Sequence, residues 1–149
     1  MKLIKNIKKF SQLPLLEKTL ATKIFFMAGI YRIIILTVPF KIITSKLSRR
    51  IKSSSHNFST ENLKTLGLII DKVCRNTPWE SKCLVQALIC KKLCRKYGVL
   101  NILYIGVKKD HLGNLASHAW VSDSQNNIIV GSCGANEFKV ITQYSDSIE

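Results

Sequence analysis

The stretch Ser81-Lys82-Cys83-Leu84-Val85-Gln86-Ala87-Leu88 begins a helical run, and Ser117-His118-Ala119-Trp120-Val121 follows it on a strand-like segment. Ser81 is the predicted N-cap, which places Cys83 in the first turn of the helix. Unsatisfied N–H groups and the helix dipole favour a negatively charged thiolate at that position. Cys83 and His118 are therefore candidates for a thiol nucleophile and its general base.

The positive charge of the chain is concentrated near its N-terminus. The 149 residues carry a net charge of +14; residues 1–60 hold 12 Lys and Arg against the single acid Glu17, whereas residues 61–149 hold 11 against 8. A basic, amphipathic segment fits an anionic membrane surface, an acidic peptide or another protein. A zinc finger, an RNA-binding signature and an Arg-rich arm are all missing from the sequence, so a nucleic-acid partner is not expected.

The first third of the chain is predicted to be helical, and residues 24–40 form its most apolar run. This run has about the minimum length of a membrane span, but Arg32 lies in its middle, and Lys23 and Lys41 flank it. A central Arg costs roughly 2.5 to 3.5 kcal/mol on insertion scales. We therefore expect a helix packed on protein or lying at a membrane surface, and the choice stays open for residues 20–44.

The cysteine content indicates a reducing compartment. The chain has an odd number of cysteines, and no secretory signal is evident. We expect a cytoplasmic location, with association to the inner face of the membrane as an option. Cys90 and Cys94 share a helical face with Cys83 and are interpreted as small buried hydrophobes. Neither a metal nor a cofactor is expected.

The order of predicted elements indicates an α+β fold. Small polar residues over 52–60 indicate a linker, which divides the chain into a basic helical segment, 1–58, and a second domain, 59–149. In the second domain, helices are predicted from Thr60, as the capping residue, to about Arg75 and from about Ser81 to Tyr97. The last two turns of the second helix carry cations that suit the helix dipole: Lys91, Lys92, Arg95 and Lys96. Strands are predicted over 102–107, 117–121 and 127–130, with 138–142 as an optional fourth. Helices followed by an antiparallel meander are typical of this fold class.

Four local motifs together resemble a known family of enzymes. They are Pro-Trp-Glu-Ser-Lys-Cys-Leu-Val-Gln-Ala-Leu (78–88), Lys-Tyr-Gly-Val (96–99), Tyr-Ile-Gly-Val-Lys-Lys-Asp (104–110) and Ser-His-Ala-Trp-Val (117–121). In this order they resemble the transglutaminase-like leader peptidases of lasso-peptide biosynthesis, in the stand-alone form without a recognition domain. The resemblance covers most of residues 65–141.

The resemblance implies a transglutaminase- or papain-like core in which Cys83 is the nucleophile and His118 the general base. It implies a cysteine peptidase that removes the leader from a ribosomally made lasso precursor, freeing the core's N-terminal amine for a macrolactam-forming cyclase. It also implies a separate leader-recognition protein, because residues 1–60 look too short and too helical to be that module. The basic segment, residues 1–50, is expected to dock one of these partners or the membrane.

The third member of the predicted triad departs from the family pattern. Related enzymes often carry an acid on the strand after the histidine strand, where it orients the imidazole. If residues 122–127 form the hairpin turn, His118 faces 131–133, which contains neither a carboxylate nor an amide. Asp123 would lie roughly 16 Å from His118 along the strand. The hydroxyl of Ser132, a backbone carbonyl or a water remain as orienting groups, or the site works as a dyad.

Two tryptophans adjoin the predicted site. Trp79 and Trp120 are candidates for the walls of a substrate cleft, with packing in the core as the commoner role for such side chains. Two other functions remain open from the sequence: a catalytically inactive peptide-binding module of the same fold, and a small membrane-associated structural protein.

Overall fold

The computed structural model of the protein describes residues 15–51, 59–110 and 112–148. Most of the predicted linker, 52–60, lies outside these ranges. The division into segments 1–58 and 59–149 therefore stays a prediction.

Apart from one two-residue strand, helices occupy the first part of the described chain and strands the second. The helices are α1 (Leu15–Thr37), α2 (Phe40–Ser45), α3 (Thr60–Cys74) and α4 (Cys83–Lys96). The strands are β1 (Arg50–Ile51), β2 (Asn101–Lys109), β3 (Leu115–Asp123), β4 (Ile128–Val130), β5 (Lys139–Ser145) and β6 (Ser147–Ile148). A 3-10 turn, Ala135–Glu137, precedes β5.

The main sheet has the order β4-β3-β2-β5 and is antiparallel throughout. A separate pair joins β1 to β6 in parallel. The predicted α+β class, with an antiparallel meander after the helices, is thus confirmed. The optional strand over 138–142 is present as β5. Chain direction alternates through β2, β3 and β4, while β5 returns to the free side of β2.

Helix α4 lies at the centre of the hydrophobic core. Its fully buried Ala87, Cys90 and Cys94 belong to the same apolar cluster as Leu103 of β2 and Val121 of β3. The burial of both helix cysteines agrees with their interpretation as small core hydrophobes. The cluster also includes apolar residues of the first two helices: Ile24, Ala28 and Ile43. The N-terminal helices therefore share one core with the sheet.

Two predicted helix caps were wrong by one residue. Ser59, not Thr60, caps α3, and its hydroxyl accepts a hydrogen bond from the Asn62 N–H at 3.2 Å. At α4 the N-cap is Lys82, not Ser81. The Ser81 hydroxyl is buried and hydrogen-bonds to the Thr77 hydroxyl at 2.8 Å instead. The side chain predicted to cap α4 therefore stabilises the turn before it.

A glycine lets α3 pack closely on β4. A Cβ atom at Gly67 would lie 1.9 Å from the Ile129 carbonyl oxygen, a distance that no side chain tolerates. The backbone of α3 therefore covers part of the β4 edge.

A buried ion network joins α4 to the segment before β1 and to the segment between β5 and β6. The carboxylate of Asp146 is fully buried; it accepts hydrogen bonds from Arg95 Nε and Nη2 and lies 3.1 Å from Lys91 Nζ. Asp146 Oδ1 also accepts from the Arg49 N–H at 3.0 Å. Arg95 Nη2 donates in addition to the Leu47 carbonyl.

The network corrects the sequence interpretation of Lys91 as a surface cation suited to the helix dipole. Its side chain is only 1% exposed, and Nζ donates to Asn101 Oδ1 and the Tyr144 carbonyl, both at 3.0 Å. Burial alone raises the pKa of Asp146, but the hydrogen bonds from Arg95 and the charge of Lys91 outweigh it. The pKa of Asp146 is therefore held below its usual value, and the carboxylate is ionised at neutral pH.

We expect Asp146→Asn to lower the free energy of unfolding by about 3–5 kcal/mol, because it leaves buried cations without a counterion. Urea denaturation of the full chain measures the change. Asp71→Asn is the matched control, since it breaks the exposed i,i+4 ion pair between Asp71 and Arg75. The control is expected to cost about 0.5 kcal/mol or less. Similar losses in both variants would show that the buried network has no special role in stability.

Candidate active site

Cys83 is the first residue of α4. The N-cap, Lys82, has an extended backbone and makes no side-chain capping bond, and the first bond of the helix runs from the Gln86 N–H to the Lys82 carbonyl at 3.2 Å. The N–H groups of residues 83–85 therefore have no acceptor within the helix. This arrangement leaves the Cys83 N–H free to donate to an oxyanion.

Cys83 and His118 line one cavity of about 560 Å³. Its walls come from α3, the start of α4, β4 and the loop after β4. Cys83 is half-buried, as is His118, so both side chains are reachable from the cavity. The structure therefore brings together the two residues that the sequence paired.

A backbone carbonyl holds the imidazole of His118. His118 Nε2 lies 2.8 Å from the Gly131 carbonyl oxygen. Because a carbonyl oxygen only accepts hydrogen bonds, Nε2 carries the hydrogen, and in the neutral ring Nδ1 is the nitrogen that can accept a proton. Two aromatic rings flank the imidazole, that of Phe138 at 5.1 Å and that of Trp120 at 5.8 Å between centroids. Among the described residues, a backbone carbonyl and two aromatic rings thus hold the tautomer and position of the imidazole, and no carboxylate is hydrogen-bonded to it.

Residues 131–133 were expected to face His118, and they do contact its ring through the backbone carbonyl of Gly131. Ser132 is exposed and lines the same cavity, but the hydrogen bond to the ring comes from the neighbouring Gly131 carbonyl. An orienting role for the Ser132 hydroxyl stays a prediction. Asp123 is buried at the far end of the hairpin, where Oδ1 accepts from the N–H groups of Gln125 and Asn127. Its role is to shape the β3–β4 turn.

Gly131 has the backbone conformation that its position requires. Its φ of 79° lies in the left-handed region, and a Cβ atom there would be 2.7 Å from the Ala119 carbonyl oxygen and 2.8 Å from Trp120 Cβ. Only glycine can therefore bring this carbonyl to the His118 ring without displacing β3.

The two candidate substrate-binding tryptophans pack against other side chains, and neither lines the cavity. The Trp79 ring lies 5.0 Å from that of Phe25 and beside Gly29, both on α1. The Trp120 ring stacks on Tyr104 at 5.5 Å and on His118. These contacts agree with packing, the commoner of the two roles that the sequence allowed for these tryptophans. Substrate contact by either tryptophan stays a prediction.

The other cysteines differ from Cys83 in burial. Burial and the nearby Asp71 carboxylate raise the pKa of Cys74 to about 12. The hydrogen bond to Cys94, together with burial, raises the pKa of Cys90 well above its usual value. Cys133 is exposed and lines the same cavity as Cys83. Within the described ranges, no three His, Cys, Asp or Glu side chains gather as metal ligands would.

One wall of the cavity comes from α3, a helix in which the sequence predicted no site residues. Lys64, Leu68, Asp71 and Arg75 line the cavity from this helix. Leu68 is 71% exposed, and Asp71 pairs with Arg75 at 2.9 Å. A signal was present, because these four residues recur at spacings of four, three and four and so share one helical face.

The chain belongs to the transglutaminase-like superfamily, whose family model matches residues 32–143. This superfamily includes cysteine peptidases and acyltransferases. A thiol nucleophile and an imidazole base are suited to the chemistry of both kinds of enzyme. The match covers α3, α4 and strands β1 to β4, and so includes Cys83 and His118. Searches of curated proteins and of solved structures returned no match.

We expect Gly131→Ala to destabilise the protein more than Gly134→Ala. Both glycines have a positive φ, so each alanine carries the strain of the left-handed region, about 1–2 kcal/mol. Only at Gly131 does the new methyl group meet backbone, which adds about 1–3 kcal/mol of overpacking. Urea denaturation measures both losses, and the ¹⁵N shifts of the His118 ring report the tautomer.

Gly134→Ala should preserve the Nε2–H tautomer, whereas Gly131→Ala should shift the ring toward a mixture of both tautomers. An unchanged tautomer in Gly131→Ala would show that the carbonyl does not hold the ring.

Proposed function

We propose that this protein is a cysteine peptidase that removes the leader from a lasso-type precursor peptide. The observation that carries the proposal is the shared cavity of Cys83, at a helix start, and His118, with Nε2 bonded to a carbonyl. Membership of the transglutaminase-like superfamily supports the thiol chemistry. The lasso substrate rests on the four sequence motifs around the two residues.

The proposed reaction proceeds through a thioester. His118 Nδ1 takes the proton of the Cys83 thiol, and the thiolate attacks the carbonyl carbon of the last leader residue. The Cys83 N–H at the helix start stabilises the resulting oxyanion. As the peptide bond breaks, the imidazolium returns its proton to the leaving amine, which becomes the N-terminus of the core peptide. Water, deprotonated by His118, then hydrolyses the thioester and releases the leader with a free carboxylate.

The partners that follow are the lasso precursor, a separate leader-recognition protein and a macrolactam-forming cyclase. A precursor made on ribosomes and a reactive thiol fit a cytoplasmic location. The exposed Leu68 and the paired Asp71 and Arg75 offer apolar and polar contacts to a peptide in the cavity.

Leader release should depend on Cys83 and not on the second cysteine of the cavity. With the recognition protein and precursor present, we expect Cys83→Ala to reduce release at least about a thousandfold, because no other group replaces the nucleophile. Cys133→Ala, the matched control, should leave the rate unchanged. Mass spectrometry of the released leader and core measures both. Release that survives in Cys83→Ala would refute the proposal.

A second candidate function, a peptide-binding module without catalysis, is favoured by one observation. The described hydrogen bond of the His118 ring goes to a carbonyl, where related enzymes often have an acid. The two functions differ in what they require of the Cys83 thiol. A module needs no special reactivity there, whereas a peptidase needs a nucleophilic thiolate.

Alkylation by iodoacetamide at neutral pH, followed residue by residue with mass spectrometry, separates the two functions. For a peptidase we expect Cys83 to react faster than the more exposed Cys133, and His118→Gln to slow only Cys83. A rate order that follows exposure, unchanged by His118→Gln, would favour the binding module.

A further inference from the structure

The outer face of α1 and the helix that follows it carry a stripe of exposed apolar side chains. On the inner face of α1, Ala21, Ile24 and Ala28 are buried against the domain. The apolar stripe consists of Phe26, Ile30, Ile33 and Leu36 of α1 with Phe40 and Ile42 of α2, each between 49% and 66% exposed. At 100° per residue, Phe26, Ile30 and Ile33 lie roughly opposite Ile24 on the helix. The apolar stripe is therefore the face of α1 turned away from the protein.

This face lacks the polarity of an ordinary solvated helix. A helix that is apolar all round is normally buried on all sides. Two threonines of α1 add little polarity, since the hydroxyls of Thr22 and Thr37 donate to the Lys18 and Ile33 carbonyls of the helix itself. An apolar patch of this extent on a protein surface usually marks a contact site for another protein or a membrane.

Exposed cations flank the apolar stripe at both ends. Lys23 lies near one end of it, and Lys41, Lys46, Arg49 and Arg50 lie near the other, all of them exposed. Residues 18–60 contain no acid in the sequence. The proximity of Lys96, together with burial and the charge of Lys92, lowers the pKa of Lys23, because nearby cations disfavour a further positive charge.

The helix lies along the protein surface and does not leave it. By length and composition, Glu17–Thr37 is able to cross a membrane. However, Arg32 is paired with Glu80 at 2.8 Å, and Ile24 and Ala28 are fully buried in the core shared with the sheet. Crossing a bilayer would break this ion pair and expose that core. If only the outer face of α1 contacts a bilayer, the ion pair and the buried core both remain intact.

We propose that the apolar stripe is a docking face for the surface of an anionic phospholipid bilayer. Its apolar side chains would enter the boundary between headgroups and acyl chains while the flanking cations contact lipid phosphates. The same cations disfavour a second copy as the occupant, because a two-fold contact places like charges opposite each other. This proposal is independent of the proposed peptidase function.

Flotation of the purified full chain with vesicles tests the proposal. We expect binding to vesicles of mixed phosphatidylglycerol and phosphatidylcholine, and little binding to phosphatidylcholine alone. Ile33→Gln removes an apolar contact and should weaken binding about tenfold or more. Lys41→Gln should weaken it about fivefold, and added salt should reduce the binding of the unaltered chain.

Two controls match these variants in exposure and chemistry away from the stripe. Leu112→Gln replaces an apolar residue that is 86% exposed in the β2–β3 turn, and Lys109→Gln removes an exposed cation on β2. Both should bind as the unaltered chain does, and the retained leader release or circular dichroism spectrum confirms folding of every variant.

Three results would overturn the proposal. The first is equal binding to both kinds of vesicle, or to neither. The second is an effect of the controls as large as that of the stripe variants. The third is a dimer or a stable complex with a protein partner that Ile33→Gln dissociates while vesicle binding is absent, which would assign the apolar stripe to protein contact.

Discussion

The salt bridge between Arg95 and Asp146 fixes the last turn of α4 relative to two distant segments of the chain. Arg95 lies in the last turn of this helix, and its guanidinium also donates to the carbonyls of Lys46 and Leu47. One side chain thereby joins the helix to the segment before β1 and to the segment between β5 and β6. The opposite end of the same helix presents Cys83 to the cavity. A rigid helix transmits position along its length, so the thiol is located in part by contacts made three turns away.

The proposed general base, His118, is held differently from the histidine of a catalytic triad with an acid. A carbonyl oxygen fixes the tautomer as a carboxylate does, but it carries only a partial charge, so it stabilises an imidazolium less. In the proposed reaction, more of the stabilisation of the charged pair then has to come from the helix start beside Cys83. The start of α4 is suited to this, because the N–H groups of residues 83–85 have no acceptors within the helix. The uncapped helix start and the carbonyl-bound histidine are thus complementary features of one site.

Much of the fold and of the candidate site could be predicted from local sequence patterns. Periodicity and turn residues predicted the α+β order, and the motifs around Cys83 and His118 predicted the superfamily and the pairing of the two residues. Features that depend on contacts made only in the folded chain could not be predicted. Ser81 has the chemistry of an N-cap, but Thr77 competes for its hydroxyl. Lys91 resembles a surface lysine until Asp146 packs beside it. A backbone carbonyl has no residue identity, so nothing in the sequence marked Gly131 as the partner of the imidazole.

The buried network also has a consequence for the order in which the chain is completed. Ribosomes make proteins from the N-terminus, so Lys91 and Arg95 leave the exit tunnel long before Asp146, the carboxylate that neutralises them. Until then α4 has only its apolar contacts, because two cations without a counterion oppose burial of its last turns. The helices of the first third are already outside during this interval. A nascent chain bound to a membrane through the apolar surface of these helices would therefore bury the last turns of α4 only after Asp146 has left the tunnel.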